Sequence, residues 1–314
     1  MSVVKVPERV PLILNPRAKS ERARRALRFV MDNATRFAIY ATNSPEEARE
    51  MAGRFVERGE GVVVAAGGDG TLNAVVNGLA GSETVLGILP TGTMNVFARE
   101  MGIPFDQLRG ALKVIDKGNV EEVDLFEVNG APFVQMAGVG FDAKVIAETS
   151  RESKKALGPL AYLVSAVKVL GDKPPKMEVT FDEGRKVEGV CVLIGNGSLY
   201  GGQFRLFRKA SNADDLLDVL VFKDAGYKFV RDSLAGLARG GFVDDSGSVE
   251  YFQSSGLKVE SDREVPVEVD GDFWGAERQM EFSHSARKLR VLAPAERGEA
   301  WWEEALRTLT PWAE

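Results

Sequence analysis

The first third of the chain alternates short apolar runs with longer amphipathic stretches. Residues 10–14, 36–40, 62–66 and 85–89 are short runs rich in apolar side chains, which predicts strands. Amphipathic segments lie between these runs. One of them opens with Ser44-Pro45-Glu46-Glu47, which has the residue types of a helix capping box. Because strands alternate with helices, the pattern predicts an α/β domain with a parallel sheet.

From about residue 120 the pattern changes to strands separated by turns. Asn129-Gly130 lies between two apolar runs and predicts a two-residue hairpin. Further elements are predicted as strands at 177–181, 187–194, 219–222, 257–260, 265–269 and 289–292, and as helices at about 160–170 and 228–238. Together they predict a mostly antiparallel second domain, a β-sandwich or half-barrel.

The change of pattern sets the predicted domain boundary. We expect an α/β domain at residues 1–122 and a β-rich domain at residues 123–294. The tail at 295–314 contains a predicted helix at 299–312 and three of the four tryptophans. Because this segment is acidic, we expect it to pack back on the first domain.

Composition and charge narrow the class of protein. The 314 residues are 44% hydrophobic with a net charge of −6, which is typical of a globular protein and disfavours nucleic-acid binding. The sequence shows neither a signal-peptide core nor a stretch of transmembrane length, so we expect a cytoplasmic protein. Cys191 lies in an apolar run and is expected to be a core thiol.

A glycine-rich loop, Gly67-Gly68-Asp69-Gly70-Thr71, directly follows the predicted strand at 62–66. Such a loop between a buried strand and a helix can surround a phosphate with backbone N–H groups. Asp69 would repel bare phosphate, which indicates a bound cation. The loop lacks the lysine of a P-loop and the third glycine of a dinucleotide fingerprint. Taken alone, it could equally be a tight turn.

A second loop, Pro90-Thr91-Gly92-Thr93, follows the next predicted strand. Thr93 and Asn95 can cap the helix that comes after it and still present polar groups to a ligand. The carboxyl ends of parallel strands lie at one edge of a sheet. We therefore expect both loops, and a third that begins at Asn15, at the same edge.

Residues 67–73 and 89–95, together with Val269-Asp270-Gly271, resemble the diacylglycerol kinase/sphingosine kinase-like family of soluble lipid kinases. The resemblance extends over nearly the whole chain through Asn15-Pro16 and the segments 140–143, 195–197 and 210–218. It implies an α/β domain like that of NAD kinases and phosphofructokinases, followed by the β-sandwich. It also implies Mg²⁺-dependent transfer of the γ-phosphate of ATP to the hydroxyl of a diacylglycerol-like or sphingoid lipid.

The resemblance further implies which residues form the site. Those around the nucleotide would be Asn15, Pro16, Arg17, Ala18, Lys19, Thr42, Gly67, Gly68, Asp69, Gly70, Thr71, Leu72, Asn73 and Thr93. The structural magnesium site of the family falls at Ser211, Asp214 and Leu216, and the outer two would bind the ion through backbone carbonyls. The catalytic acid of the family, a glutamate, falls at Asp272.

The chemistry of phosphoryl transfer suggests roles for four aspartates. Asp69 is expected to organise the metal, directly or through water, because the phosphate charge must be neutralised. Asp272, or Asp270 beside it, would accept the proton of the lipid hydroxyl. Asp124 could support the same network or could be a surface acid at a strand end.

Three positions depart from the family pattern. Lys19 and Asp215 lie where glycine is usual, and Asp272 lies where glutamate is usual. Asp215 therefore puts the conformation of the metal loop in question. Asp272 is shorter than glutamate by one methylene, and a displacement of about 1 Å at a reacting group can cost on the order of a hundredfold in rate.

Two alternatives to a lipid kinase stay open. One is a kinase of another hydroxylated small molecule such as NAD, and the other is a nucleotide-binding regulator with weak catalysis. A lipid substrate implies a peripheral protein at the inner membrane face. The basic cluster at 17–28 fits this location, although it is more simply interpreted as a solvated helix face. An exposed edge strand would be compatible with a homodimer.

Overall fold

The computed structural model describes residues 2–16, 21–140, 174–200, 204–224, 232, 236, 241–242, 244–245, 247–286 and 288–296. The chain divides into two compact units, the first formed by 1–122 with 289–314 and the second by 123–288. The helices predicted at 160–170 and 299–312, and most of that predicted at 228–238, lie outside the described residues. Helices of the described segments have at most 13 residues, and none meets the length and hydropathy of a membrane-spanning helix.

The first unit has the alternation of strands and helices that the sequence predicts. Its elements are β1 (Ser2–Val3), β2 (Val10–Leu14), α1 (Glu21–Asp32), β3 (Phe37–Ala41), α2 (Pro45–Glu57), β4 (Val62–Gly67), α3 (Asp69–Leu79), β5 (Val85–Pro90), α4 (Val96–Glu100), α5 (Leu108–Lys117) and β6 (Asn119–Val123). The predicted capping box is confirmed, because the Ser44 side chain accepts a hydrogen bond from the Glu47 N–H at the start of α2.

The second unit consists mainly of strands. Its elements are β7 (Phe126–Val128), β8 (Ala131–Phe133), β9 (Met136–Val139), β10 (Met177–Phe181), β11 (Lys186–Gly189), β12 (Cys191–Gly195), β13 (Leu199–Tyr200), β14 (Phe204–Arg205), β15 (Leu217–Phe222), β16 (Val249–Ser254), β17 (Leu257–Val269) and β18 (Asp272–His284); β19 (Leu289–Leu292) returns to the first unit. Cys191 is a buried free thiol, as predicted.

The sheet of the first unit has the order β1-β6-β19-β5-β4-β2-β3. The pairs from β19 to β3 are parallel, and β1 pairs with β6 antiparallel. Residues 62–66 are buried, as expected of a central strand covered on both faces. The assignment of 289–292 to the second domain was wrong, because β19 pairs with β5 through Val291 and Leu86. A four-residue apolar run carries no information about which sheet completes its hydrogen bonds.

The main sheet of the second unit is antiparallel and has ten strands. Its order is β16-β15-β12-β9-β17-β18-β7-β8; β10 also pairs with β17, and β11 pairs with β10. The predicted hairpin at Asn129-Gly130 is confirmed and joins β7 to β8. Asp270-Gly271 forms the same kind of two-residue turn between β17 and β18, with φ of 51° and 87°. Positive φ at both positions is typical of a type I′ hairpin turn and favours Asx-Gly.

Candidate active site

The two glycine loops of the first unit lie side by side. Their strands are adjacent and parallel, with Gly67 opposite Pro90, and Thr91 N–H donates to the Gly67 carbonyl at 2.9 Å. A Cβ added to Gly92 would lie 2.4 Å from the Cα of Gly68. Because no side chain fits at this approach, glycine is required there. The expectation that both loops share one edge of the sheet is confirmed.

Asp69 fastens the second glycine loop to the first. Its Oδ2 accepts the Asn95 N–H at 3.0 Å, and its Oδ1 accepts the Val96 N–H at 2.7 Å, at the start of α4. Burial raises the pKa of Asp69, while these two N–H groups and the charge of Arg99 act in the opposite direction. The structure thus assigns Asp69 a structural role that the sequence did not show, and its role at a metal stays a prediction.

The N-terminus of α3 presents backbone donors beside these loops. Its N-cap is Gly68, which has no side chain to accept a hydrogen bond from the first turn. A helix N-terminus with N–H groups left for a ligand is suited to a phosphate. Thr71 and Asn73 are half-buried in this turn, whereas the side chain of Leu72 is buried. Leu72 therefore packs in the core and has only backbone atoms to offer a nucleotide.

The remaining predicted nucleotide residues differ in their exposure and in whether the structure describes them. Asn15 and Pro16 follow β2 at the same edge of the sheet, and Thr93 is exposed in the second glycine loop. Thr42 is buried, and its N–H donates to the Leu14 carbonyl at 2.9 Å. Arg17, Ala18 and Lys19 lie outside the described residues. The contacts of this set with a nucleotide stay predictions.

In the second unit, Asp270 is a structural acid. Its carboxylate accepts three backbone N–H groups, from Val134 at 3.1 Å, Gln135 at 2.8 Å and Met136 at 3.0 Å. Burial raises its pKa to about 6, against the opposite effect of these three bonds. These bonds make Asp270 an anchor for the segment that enters β9, and its role as an alternative proton acceptor stays a prediction. Asp272 is exposed at the first residue of β18.

Asp124 is the buried centre of an ionic cluster whose other members reach the surface. Its Oδ1 lies 2.7 Å from Lys288 Nζ and 3.7 Å from His284 Nε2, and its Oδ2 accepts the Asp215 N–H at 2.7 Å. Asp215 Oδ1 lies 2.9 Å from the same ammonium and 3.1 Å from the same imidazole nitrogen. Asp124 is fully buried, so the interpretation of this residue as a surface acid was wrong.

The loop that carries the predicted metal ligands wraps around this cluster. The Asp124 N–H donates to the Asn212 carbonyl at 2.9 Å. Asp215 has a φ of 61°, in the left-handed region where glycine is usual in the family and where aspartate is tolerated. The loop conformation that Asp215 put in question is thus compatible with aspartate. The added side chain provides the second carboxylate for Lys288.

The predicted magnesium ligands are of the oxygen type that a hard cation prefers, and their binding of Mg²⁺ stays a prediction. Asp214 is exposed, and its Oδ1 accepts the Leu216 N–H at 3.1 Å. Partial burial raises the pKa of Asp214, and the negative charges of Asp124 and Asp215 add to this shift. A carboxylate with carbonyl oxygens in such a negative field is suited to Mg²⁺. Ser211, at the other end of the loop, is exposed.

Sequence reasoning missed the contributions of Lys288 and Asn196. The Asn196 side chain is buried and donates to the carbonyls of Asp124 at 2.8 Å and Val134 at 2.7 Å. It thus joins the Asp124 segment to the segment that Asp270 anchors. Asn196 belongs to one of the segments that carry the family resemblance, and this was the only sequence feature that pointed to a role for it. No sequence feature pointed to Lys288, because its partners Asp124 and Asp215 are distant in sequence.

An α/β unit with paired glycine loops, followed by an antiparallel β unit, is the architecture of the NAD kinase-like fold. Residues 9–128 match the family model of the diacylglycerol kinase catalytic domain, and residues 135–293 match the YegS C-terminal NAD kinase beta sandwich-like domain. The chain belongs to the diacylglycerol kinase/YegS-like family of lipid kinases, enzymes that transfer a phosphate group.

Individual relatives agree with this assignment. A Pseudomonas aeruginosa protein named as a YegS-like lipid kinase is 34% identical, with 92% of this chain and 95% of that protein covered. A diacylglycerol kinase of Bacillus subtilis is 29% identical, with coverage of 93% and 98%. A crystal structure of a diacylglycerol kinase from Bacillus anthracis str. Sterne has a TM-score of 0.74 at 25% identity, covering 92% and 97%.

The fold is shared more widely. The structure of an NAD kinase from Archaeoglobus fulgidus, in complex with ATP, has a TM-score of 0.53 and 12% identity, covering 95% of this chain and 98% of that one. At this identity the likeness concerns the fold alone. It agrees with the NAD kinase-like architecture that the sequence predicts.

Asp69→Asn should destabilise the first unit. An amide offers one acceptor oxygen where the carboxylate offers two, so one N–H at the start of α4 would lose its partner. We expect the free energy of unfolding to fall by about 1–3 kcal/mol, measured by denaturant unfolding. Asp106→Asn, at an exposed acid of the same unit, is the control and should have little effect. Equal stability of the two variants would contradict the anchoring role.

Asp270→Asn should change the pH dependence of stability. The folded pKa of Asp270, about 6, lies above its ordinary value of 3.8, so the folded state binds this proton more tightly than the unfolded chain does. Wild-type stability should therefore fall as the pH rises from about 4 to about 6, and the variant lacks this loss. The free energy of unfolding of the variant relative to wild type should rise by up to about 3 kcal/mol over this range. A constant difference across these pH values would be incompatible with the raised pKa.

Proposed function

We propose that this lipid kinase transfers the γ-phosphate of ATP to the hydroxyl of a diacylglycerol-like or sphingoid lipid, with Mg²⁺. The observation that carries the proposal is the pair of touching glycine loops beside the uncapped N-terminus of α3. Family membership supports the lipid acceptor. The two alternatives, an NAD kinase-like enzyme and a weakly catalytic regulator, become outcomes of the test below.

The first unit would bind the triphosphate with backbone groups. The first turn of α3 would offer its N–H groups to the phosphates, since its N-cap Gly68 has no side chain, and glycine at position 92 lets the second loop approach Gly68 closely. Asp69 would contribute by holding the second loop, and Thr93, in that loop, exposes a hydroxyl. Since the glycine loop has no lysine, the phosphate charge must be neutralised by other cations.

The second unit would provide the base and the metal ligands. Asp272 would accept the proton of the lipid hydroxyl at its carboxylate, as the resemblance implies. The Asp270-Gly271 turn, anchored by three N–H groups, fixes the backbone position of Asp272. Ser211, Asp214 and Leu216 would hold Mg²⁺, which when bound supplies positive charge to the region.

A lipid acceptor requires contact with a membrane, and we propose peripheral binding at the cytoplasmic face. One cavity of the first unit, of about 800 Å³, has a lining suited to an anionic surface. It contains three arginines, Arg22, Arg25 and Arg109, and one acid, Asp106. The pKa of neighbouring Arg99 is lowered by burial and next by the charge of Arg22, while the charges of Asp69 and Asp106 act in the opposite direction. This arginine cavity supports adsorption to anionic headgroups.

The acceptor can be tested by following the γ-phosphate. Full-length protein is incubated with labelled ATP and, in parallel, with diacylglycerol vesicles, sphingosine vesicles or NAD, in Mg²⁺ or in EDTA. We expect label in one of the lipids, in Mg²⁺ only. Transfer to NAD alone would favour the NAD kinase-like enzyme, and absence of transfer with ATP binding retained would favour the regulator. Either result contradicts the proposal.

Asp272→Asn should lower kcat by about 10²–10⁴-fold, because the amide cannot accept the proton. Asp272→Glu, which restores the residue usual in the family, should retain activity. Asp244→Asn changes another exposed acid of the same unit and serves as the control. If the asparagine variant at position 272 kept the wild-type kcat, Asp272 would not be the base.

The double variant Arg25→Gln/Arg109→Gln should bind more weakly to vesicles that contain an anionic phospholipid. Each basic residue near such a surface contributes about 1 kcal/mol, so the loss should be roughly tenfold or more, measured by vesicle co-sedimentation. Arg49→Gln/Arg58→Gln removes the same charge from exposed arginines at α2. An equal loss in this control would assign the effect to net charge and not to the arginine cavity.

A further inference from the structure

The Asp124 cluster contains a cation that belongs to the chain itself. Lys288 Nζ lies 2.7 Å from Asp124 Oδ1 and 2.9 Å from Asp215 Oδ1, so one ammonium bridges two carboxylates. One of these carboxylates is fully buried, and the side chain of Lys288 is 33% exposed. A buried carboxylate without a counter-charge is strongly destabilising, so the cluster requires a cation.

A metal ion and this ammonium cannot occupy the cluster together. Asp124, Asp215 and His284 place ligand atoms within 4.8 Å of one another, close enough to hold a metal ion. An ion shared by the two carboxylates would lie about 2.0–2.6 Å from their oxygens, depending on the metal. This position overlaps that of Lys288 Nζ. The cluster is therefore either a lysine centre or a metal centre.

The backbone of the metal loop depends on the same cluster. Asp124 Oδ2 accepts the Asp215 N–H, and the Asp124 N–H donates to the Asn212 carbonyl. The loop at 211–216 is thus hydrogen-bonded to Asp124 on both sides. Whatever cation neutralises Asp124 also stabilises this loop.

We propose that Lys288 is the resident cation of the Asp124 cluster and holds the 211–216 loop in its folded conformation without a divalent ion. Asp215 is the partner that directs the ammonium, since it provides the second carboxylate within reach of Lys288. Lys288 is a positioning residue, because it acts on the loop that carries Ser211, Asp214 and Leu216. The inference is independent of which acceptor the kinase uses.

A tethered cation differs from a bound one in its response to chelators. Lys288 cannot be removed by EDTA, so the loop should keep its conformation when divalent ions are withdrawn. Removal of the ammonium should convert the cluster of Asp124, Asp215 and His284 into a divalent-cation site, with Mn²⁺ preferred to Mg²⁺ because of the imidazole.

Amide hydrogen exchange of the full-length protein tests the proposal directly. In wild type, the Asp124 and Asp215 amides should exchange at equal rates in EDTA, Mg²⁺ and Mn²⁺. In Lys288→Met they should exchange about tenfold or more faster in EDTA, and Mn²⁺ should restore most of the protection. Lys258→Met, which removes an exposed lysine from an ion pair with Glu281, is the matched control and should leave both amides unchanged.

Three results would overturn the proposal. The first is a wild-type loop that loses protection in EDTA, which would show that a divalent ion holds it. The second is a Lys288→Met loop as protected in EDTA as wild type. The third is loss of protection in Lys288→Met that Mn²⁺ does not restore. The first result is measured on the wild-type protein, so it can be obtained even if Lys288→Met fails to fold.

Discussion

Aspartate carboxylates that accept backbone N–H groups hold the loops of both units in place. Asp69 binds the start of α4, Asp270 binds the three N–H groups of residues 134–136, and Asp124 binds the Asp215 N–H. A backbone donor in an irregular loop has no partner from a helix or sheet, and burying it unpaired costs about 1–3 kcal/mol. Each loop therefore keeps its geometry because an acid from elsewhere in its own unit reaches it.

These acids are not electrostatically equivalent. The pKa of Asp69 and of Asp270 is raised by burial, although backbone N–H groups act in the opposite direction. The charge of Asp124 is met by Lys288, and the pKa of this lysine is raised by the two carboxylates beside it. Asp270 and Asp272 are separated by one glycine, yet the hairpin leaves the first residue half-buried under three N–H groups and exposes the second residue. Adjacent acids of one motif thus have different roles, set by the turn between them.

Local patterns predicted most of the elements. The parallel strands were found because buried strands are continuous apolar runs, and the Asn129-Gly130 hairpin because few dipeptides favour positive φ twice. The helix α5 was not predicted, although its buried Ala111, Val114 and Ile115 follow helical spacing. The strand at 289–292 was found but assigned to the wrong sheet, since strand pairing over some 200 residues is not encoded locally.

The sequence by itself determined the family, the kind of each domain and the glycine loops that are suited to phosphate, because these depend on residue type at short spacing. Tertiary structure alone decided what the acids do. It showed that Asp69 bridges two loops, that Asp270 is enclosed by N–H groups and that Lys288 neutralises Asp124. The reason is physical: the charge state and partners of a carboxylate depend on burial and on groups distant in sequence, and these meet only when the chain folds.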